Sequence, residues 1–412
     1  MNEQLVVKNF GPIKDATVDF KRVTVFIGPT GGGKSTLAKL AAIFGAGGPF
    51  VGNIDLGGIL ASYGVDNYRE NEYLIKLSNK KGSNVQILAD IISYDSATML
   101  AIENYNNSDA GVILKKDLIP EVQAFLDTLP TSEATYTLDR IKSLLKQYSR
   151  QFYLKGIFES TIYTHYVPAE RLLVSTLNSS WPSLIEAKVD LPKPLLDFVK
   201  AYLKAGSVIE TLDVPFLGIQ YEHINDRGYV NLNKQRSLPI NETASGIQSV
   251  TPLLVLLEHL SRNTEQAQSF IIEEPELNLF PTAQFELIKI LVDKCARLDG
   301  QNDLVLTTHS PYVLTALNLL CYAFRIAQQD EATAKKVAKL IPRHCWIDPD
   351  QFAAYYVDRP DTKYKQQVRS IINKKTGLIE ENELDTASDE LGDIFDKLVK
   401  LRKPSKPVAS AK

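Results

Sequence analysis

The segment Gly28-Pro29-Thr30-Gly31-Gly32-Gly33-Lys34-Ser35 constrains this chain more than any other. It fits G-x-x-x-x-G-K-[ST] without a mismatch, and Thr36 follows it. The run before it, Val23-Thr24-Val25-Phe26-Ile27, is β-branched and aromatic, and Leu37 to Phe44 has helical composition. The segment therefore reads as a turn from a strand into a helix. Glycines let the backbone curl until successive N–H groups point inward, which makes a cradle for phosphate oxygens. A helix starting near Lys34 adds the positive end of its dipole. Lys34 is expected to reach the β- and γ-phosphates of a nucleotide, and the Ser35 hydroxyl to ligate Mg²⁺. The alternative is an accidental Gly-rich turn, and both flanking elements argue against it.

Two further strand ends carry polar chemistry. Phe270-Ile271-Ile272-Glu273-Glu274-Pro275-Glu276 is an apolar strand that ends in carboxylates. In a parallel sheet that end faces the ligand crevice, and adjacent side chains point to opposite sides. Glu273 is then expected at Mg²⁺ and Glu274 at the attacking water as general base. Taken alone, the same residues also suit an acidic turn that caps the next helix. Leu304-Val305-Leu306-Thr307-Thr308-His309-Ser310-Pro311 is the second such strand. It places His309 where an imidazole hydrogen-bonds the γ-phosphate or the attacking water. His165, His223, His259 and His344 read as structural.

The helix start Thr243-Ala244-Ser245-Gly246-Ile247-Gln248-Ser249 completes a set of segments. In the order phosphate loop, Ser-Gly-x-Gln, acidic strand and His strand, they resemble the ATP-binding-cassette ATPases, specifically the SMC/OLD-like branch. Glu274-Pro275-Glu276-Leu277-Asn278-Leu279-Phe280-Pro281 is similar to that family's Walker B and D-loop run. Val7-Lys8-Asn9-Phe10-Gly11-Pro12-Ile13 and Val167-Pro168-Ala169-Glu170-Arg171 also match the branch, the latter without a role that the residues themselves disclose. The resemblance implies ATP and Mg²⁺ at a composite site. Gly28, Thr30, Gly31, Gly32, Gly33, Lys34, Ser35 and Thr36 of one protomer would face Ser245 and Gly246 of another, packed head to tail. It departs at Glu273, where the family usually has Asp, and its Q-loop glutamine has only Gln86 as a candidate.

Within that branch the resemblance points to stand-alone ATPases of bacterial anti-phage systems of the Septu and PARIS type. There an ATP-bound oligomer controls a separate nuclease or toxin. The alternative is an SMC-like ATPase that acts on DNA in repair. A transport ATPase and a non-enzymatic ATP-binding scaffold fit less of the sequence.

A chain of 412 residues suggests two or three domains. The expected fold class is α/β, an ABC/SMC-like P-loop ATPase core with an N-terminal β-rich lobe and a helical insertion. Residues 1–114 read as the N-terminal ATPase lobe, 115–206 as a mainly helical insertion with one short strand from Ile162 to Val167, 207–345 as the C-terminal ATPase lobe, and 346–412 as an extension. Strands are expected at 72–78, 85–94 and 98–103, and the tail from 361 reads as charged and partly helical.

With 46 Lys+Arg against 49 Asp+Glu, the net charge of −3 argues against a globally basic nucleic-acid binder. A local stripe remains: Lys142, Lys146 and Arg150 fall at i, i+4, i+8, with Arg140 and Lys155 nearby. It is expected to contact DNA or a partner's acidic surface; a solvated face is the plainer reading. Three widely spaced cysteines without a CxxC indicate reduced thiols. No basic, apolar leader opens the sequence, and no apolar run reaches the ~20 residues needed to cross a bilayer. A cytoplasmic protein without a membrane partner is expected. Asp348-Pro349-Asp350 reads as a turn rather than a metal pair, so an effector activity is expected on another chain.

Overall fold

The strands Val23–Ile27, Gln268–Glu273, Asp303–Thr308 and Phe352–Val357 are buried along their whole length, as befits parallel strands covered on both faces. They lie in one six-stranded sheet within a computed structural model. The model describes residues 4–45, 56–78, 84–88, 91–94, 163–177, 180–189, 191–225, 227–233, 236–263, 266–361, 364, 366–380, 392 and 394–398. Lys142, Lys146, Arg150 and the expected strand at 98–103 lie outside these residues.

The chain opens with β1 (Gln4–Phe10), β2 (Ile13–Asp19) and β3 (Val23–Ile27), then α1 (Lys34–Gly45) and α2 (Leu56–Ser62). β4 (Arg69–Ser78), β5 (Asn84–Leu88) and β6 (Ile91–Tyr94) complete an antiparallel sheet in the order β2-β1-β4-β5-β6. β7 (Tyr163–Val167) precedes α3 (Leu172–Leu177), α4 (Trp181–Glu186) and α5 (Lys193–Gly206). A four-stranded meander follows: β8 (Thr211–Val214), β9 (Ile219–Ile224), β10 (Arg227–Asn233) and β11 (Arg236–Pro239). Then come α6 (Ser245–Leu260), β12 (Gln268–Glu273), α7 (Pro281–Cys295), β13 (Asp303–Thr308), α8 (Pro311–Ala327), α9 (Glu331–Leu340), β14 (Phe352–Val357) and β15 (Val368–Ser370).

The central sheet runs β15-β14-β3-β13-β12-β7. Its strands from β14 to β7 are parallel, and β15 is antiparallel at the edge. Register pairs Thr307 of β13 with both Phe26 and Glu273, so the three polar strand ends come out side by side. Alternate side chains feed two cores. Val25, Ile27, Phe270, Ile272, Leu304 and Leu306 enter one, together with residues of α5 to α8. Phe26, Ile271, Val305 and Val357 enter the other, together with α1 and the antiparallel sheet. Each such side chain contributes about 1.5–3 kcal/mol when fully buried, and the interdigitation leaves the loops at the strand ends little freedom.

The strand expected at Ile162 to Val167 is β7, hydrogen-bonded along β12. It lies within the span read as an insertion, and the helices after it pack into the main core. β14 lies within the span read as an extension, yet it is the neighbour of β3. The tail beyond 361, read as partly helical, supplies the short strand β15 and an isolated bridge from Ile372 to Ile379, and is helical at 394–398. Asp348 caps a single 3-10 turn at Pro349–Gln351, its carboxylate accepting from the Asp350 N–H. Cys295, Cys321 and Cys345 are buried free thiols, and burial pushes all three up, Cys345 to about 11. Among the described residues, no helix is long and apolar enough to cross a membrane.

Candidate nucleotide site

The loop between β3 and α1 has backbone that only glycine adopts without strain. Gly28, Gly31 and Gly33 have φ of 147°, 81° and 106°. Packing demands glycine as well: a Cβ on Gly28 would stand 2.1 Å from the Val357 carbonyl oxygen, and one on Gly32 would stand 2.5 Å from the same atom. The loop is thus pressed against the end of β14, while Thr30, Gly31 and Ser35 face solvent. Lys34 is only 5% exposed, and its ammonium donates to the carbonyls of Gly28 at 2.8 Å and Pro29 at 2.9 Å. Burial lowers its pKa to about 8, against the opposing pull of Glu274, Glu276 and Glu273. A buried cation held by two neutral carbonyls is poised to exchange them for phosphate oxygens. Thr36 is buried in the first turn of α1.

Glu273 closes β12 and is 4% exposed. Burial raises its pKa, partly opposed by the hydroxyls of Ser35 and Tyr166 beside it. Its Oε1 is buried without a hydrogen-bond partner. An orphaned carboxylate oxygen next to the exposed Ser35 hydroxyl is a donor set that fits Mg²⁺, a hard cation taking few protein oxygens beside its substrate's phosphates.

Glu274 leaves the strand with φ +42°, in the left-handed region that a non-glycine residue seldom adopts. Its N–H donates to the Thr307 carbonyl at 2.9 Å. Its Oε1 meets His309 Nε2 at 3.3 Å. That hydrogen bond is the main reason its pKa lies below the usual carboxylate range. Glu276 turns inward instead. It accepts from the Thr308 hydroxyl at 2.6 Å and from the His309 N–H at 3.0 Å, which fixes the backbone that presents the imidazole. Gly28 to Thr36, Glu273, Glu274 and His309 therefore converge at the ends of three adjacent strands.

Ser245 and Gly246 start α6 against the turn after Glu276. A Cβ on Gly246 would stand 2.6 Å from the Asn278 carbonyl oxygen. Ser245 is exposed, and no side chain caps the first turn of α6. Gln86 lies on β5 in the antiparallel sheet, whereas the carboxylates close β12 in the parallel one.

Two residues at the site carry no assignment from the sequence. Arg171 sits under the carboxylate strand; only its place in the run after β7 pointed to it. Gln367, 4% exposed, ties three segments together. Its Nε2 donates to the carbonyls of Pro12 at 2.7 Å, Gly32 at 3.2 Å and Asp358 at 3.1 Å, and its Oε1 accepts from the Lys14 N–H at 2.7 Å. No local pattern marks Gln367, since all its partners are backbone groups.

Two stretches match family models: residues 4–151 match an AAA domain and residues 215–314 an AAA ATPase domain. No curated protein matches the chain. Similar solved structures include the Smc head domain with an extended coiled coil bound to the C-terminal domain of ScpA, derived from Pyrococcus furiosus. It is 11% identical with a TM-score of 0.37, covering 95% of this chain and 98% of that one. The SMC head domain from Thermotoga maritima is 13% identical with a TM-score of 0.30, covering 77% and 92%. The two AAA matches, the mixed α/β architecture and the loop at the end of β3 describe an α/β P-loop ATPase core.

Proposed function

We propose that this protein is a Mg²⁺-dependent ATPase whose ATP-bound oligomer acts as a switch for a separate effector. The observation that carries the hydrolase reading is the convergence of Lys34, the orphaned Glu273 oxygen and the Glu274–His309 pair at neighbouring strand ends. Phosphates entering the loop meet the inward N–H groups, and Lys34 exchanges two carbonyls for them. Ser35 and Glu273 would hold Mg²⁺, which when bound neutralises charge on the β- and γ-phosphates. Glu274 is ionised and within reach of solvent, so it takes the proton of a water that attacks the γ-phosphorus. His309 holds that carboxylate in place.

The oligomer reading rests on Ser245. It stands exposed at an uncapped helix start, which suits a γ-phosphate bound on another protomer. A lone protomer then hydrolyses slowly, because its electrostatic cage is incomplete. The role in bacterial defence rests on the motif resemblance alone, as does the separate effector. Contact with DNA through Lys142, Lys146 and Arg150 rests on their spacing.

The test is mass by light scattering with and without ATP·Mg²⁺, on wild type and Glu274→Gln, with phosphate release measured in parallel. ATP should enlarge the mutant assembly while its turnover collapses. Equal masses without phosphate release from either protein would overturn the switch.

A further inference from the structure

Arg171 is 0% exposed, and its hydrogen bonds among the described residues all go to backbone carbonyls. Its Nε donates to Ser249 at 3.2 Å, its Nη1 to Pro168 at 3.3 Å and Glu273 at 2.7 Å, and its Nη2 to Glu274 at 2.6 Å. Burial lowers its pKa only to about 10, so it remains a cation at neutral pH. The carbonyls of Glu273 and Glu274 belong to the two peptide planes on either side of the Glu274 Cα. Holding both planes fixes φ and ψ at that residue. Glu274 keeps its left-handed backbone, and its side chain keeps its aim, because a planar guanidinium fork grips both sides.

The same short segment also holds α6. Pro252 lies inside that helix and has no N–H for the Gln248 carbonyl, four residues earlier. The Ser175 hydroxyl donates to that carbonyl at 2.7 Å, and Arg171 takes the next one, on Ser249. One turn of chain, from Arg171 to Ser175, thus grips two successive carbonyls behind Ser245 and both peptide planes of Glu274. The backbone contact between Gly246 and Asn278 closes the loop on the other side.

We infer that Arg171 and Ser175 form a clasp through which the start of α6 and the Glu274 carboxylate move as one unit. Arg171 is then a positioning residue for hydrolysis: an event at the Ser245 turn reaches the water-activating carboxylate through its guanidinium. This inference rests on the ATPase reading above for its consequence, but not for its mechanics.

The experiment compares wild type, Arg171→Lys and Ser175→Ala in three measurements: affinity for a fluorescent ATP analogue, phosphate release, and amide hydrogen exchange by mass spectrometry. Lysine keeps the buried charge without the planar fork. Arg171→Lys should bind the analogue as wild type does and lose turnover by about 100-fold, the cost of a misaimed group. Exchange should rise together in peptides covering 245–251 and 273–279, and stay unchanged in α8. Ser175→Ala should show the same paired rise, smaller in size, in a protein whose fold is intact even if Arg171→Lys fails to fold. Wild-type turnover in Arg171→Lys, or exchange rising in one of the two peptides alone, would overturn the clasp. If wild type itself releases no phosphate, the ATPase reading falls, and the paired exchange decides the clasp by itself.

Discussion

His309 Nε2 lies 3.3 Å from Glu274 Oε1, and this contact outweighs burial in setting how Glu274 ionises. The carboxylate loses its proton below the ordinary range, so the base is ionised well into acid. Removing the imidazole removes the largest cause. In His309→Ala the acid limb of the kcat/KM profile should move to higher pH, and the plateau should fall by about 10²-fold if the pair acts together. The stability tied to this depressed carboxylate is present above its unfolded value and lost as pH falls through the folded one. The variant should therefore lose less stability than wild type on acidification. A pH–rate profile with an unmoved acid limb would separate His309 from Glu274.

Lys34 titrates near 8 in the nucleotide-free protein. Its folded value lies below its unfolded one, so between about pH 8 and the ordinary lysine value of 10.5 the unfolded chain binds more protons and stability rises with pH. Phosphates beside the ammonium restore its affinity for the proton. ATP binding at pH 8.5 should therefore take up a proton, a quantity that calorimetry in two buffers of different ionisation enthalpy measures. Lys34→Ala should bind weakly and show no uptake.

Gln367 bonds at once to the turn after β1, the phosphate loop and the end of β14. Leucine at this position removes hydrogen bonds to three carbonyls and one N–H, of which the one to Gly32 is fully buried and costs about 1–3 kcal/mol to lose. Gln367→Leu should lower the melting temperature and raise KM for ATP by about 10-fold or more, while kcat changes little, because the groups at the γ-phosphate are untouched. A fall in kcat at constant KM would contradict that division.

Gly28 and Gly31 separate backbone strain from crowding. Both have positive φ, but a Cβ at Gly31 meets nothing within 4 Å, whereas one at Gly28 runs into the Val357 carbonyl. Gly31→Ala should cost about 1–3 kcal/mol of strain at most. Gly28→Ala should cost more and abolish nucleotide binding, since the loop and β14 must part. Thermal unfolding of the two variants side by side tests the difference.

The sequence discloses those parts of the site that are contiguous in it. The loop Gly28–Ser35, the pair Glu273–Glu274 and His309 each close an apolar run, and a parallel sheet gathers such ends on one side. Arg171 and Gln367 do their work on backbone carbonyls brought together by topology, so residue type and spacing say nothing of their partners. The strand β14 escaped for a different reason. Phe352-Ala353-Ala354-Tyr355-Tyr356-Val357 is a short apolar run with two alanines, and periodicity does not separate a buried strand from a buried helix at that length. Ser245 was legible as a helix start, but what faces it is a property of an assembly and not of one chain's local pattern.

The position of β3 between β13 and β14 governs the order in which the protein becomes itself during synthesis. β3 and its loop leave the ribosome early, yet their sheet partners are Asp303–Thr308 and Phe352–Val357. At about 5–20 residues per second the nascent chain waits on the order of tens of seconds with its central apolar strand unpaired. Such a strand is a target for chaperones and for aggregation. The same topology leaves a prematurely terminated chain without β14, the strand end on which Gly28 and Gly32 are packed.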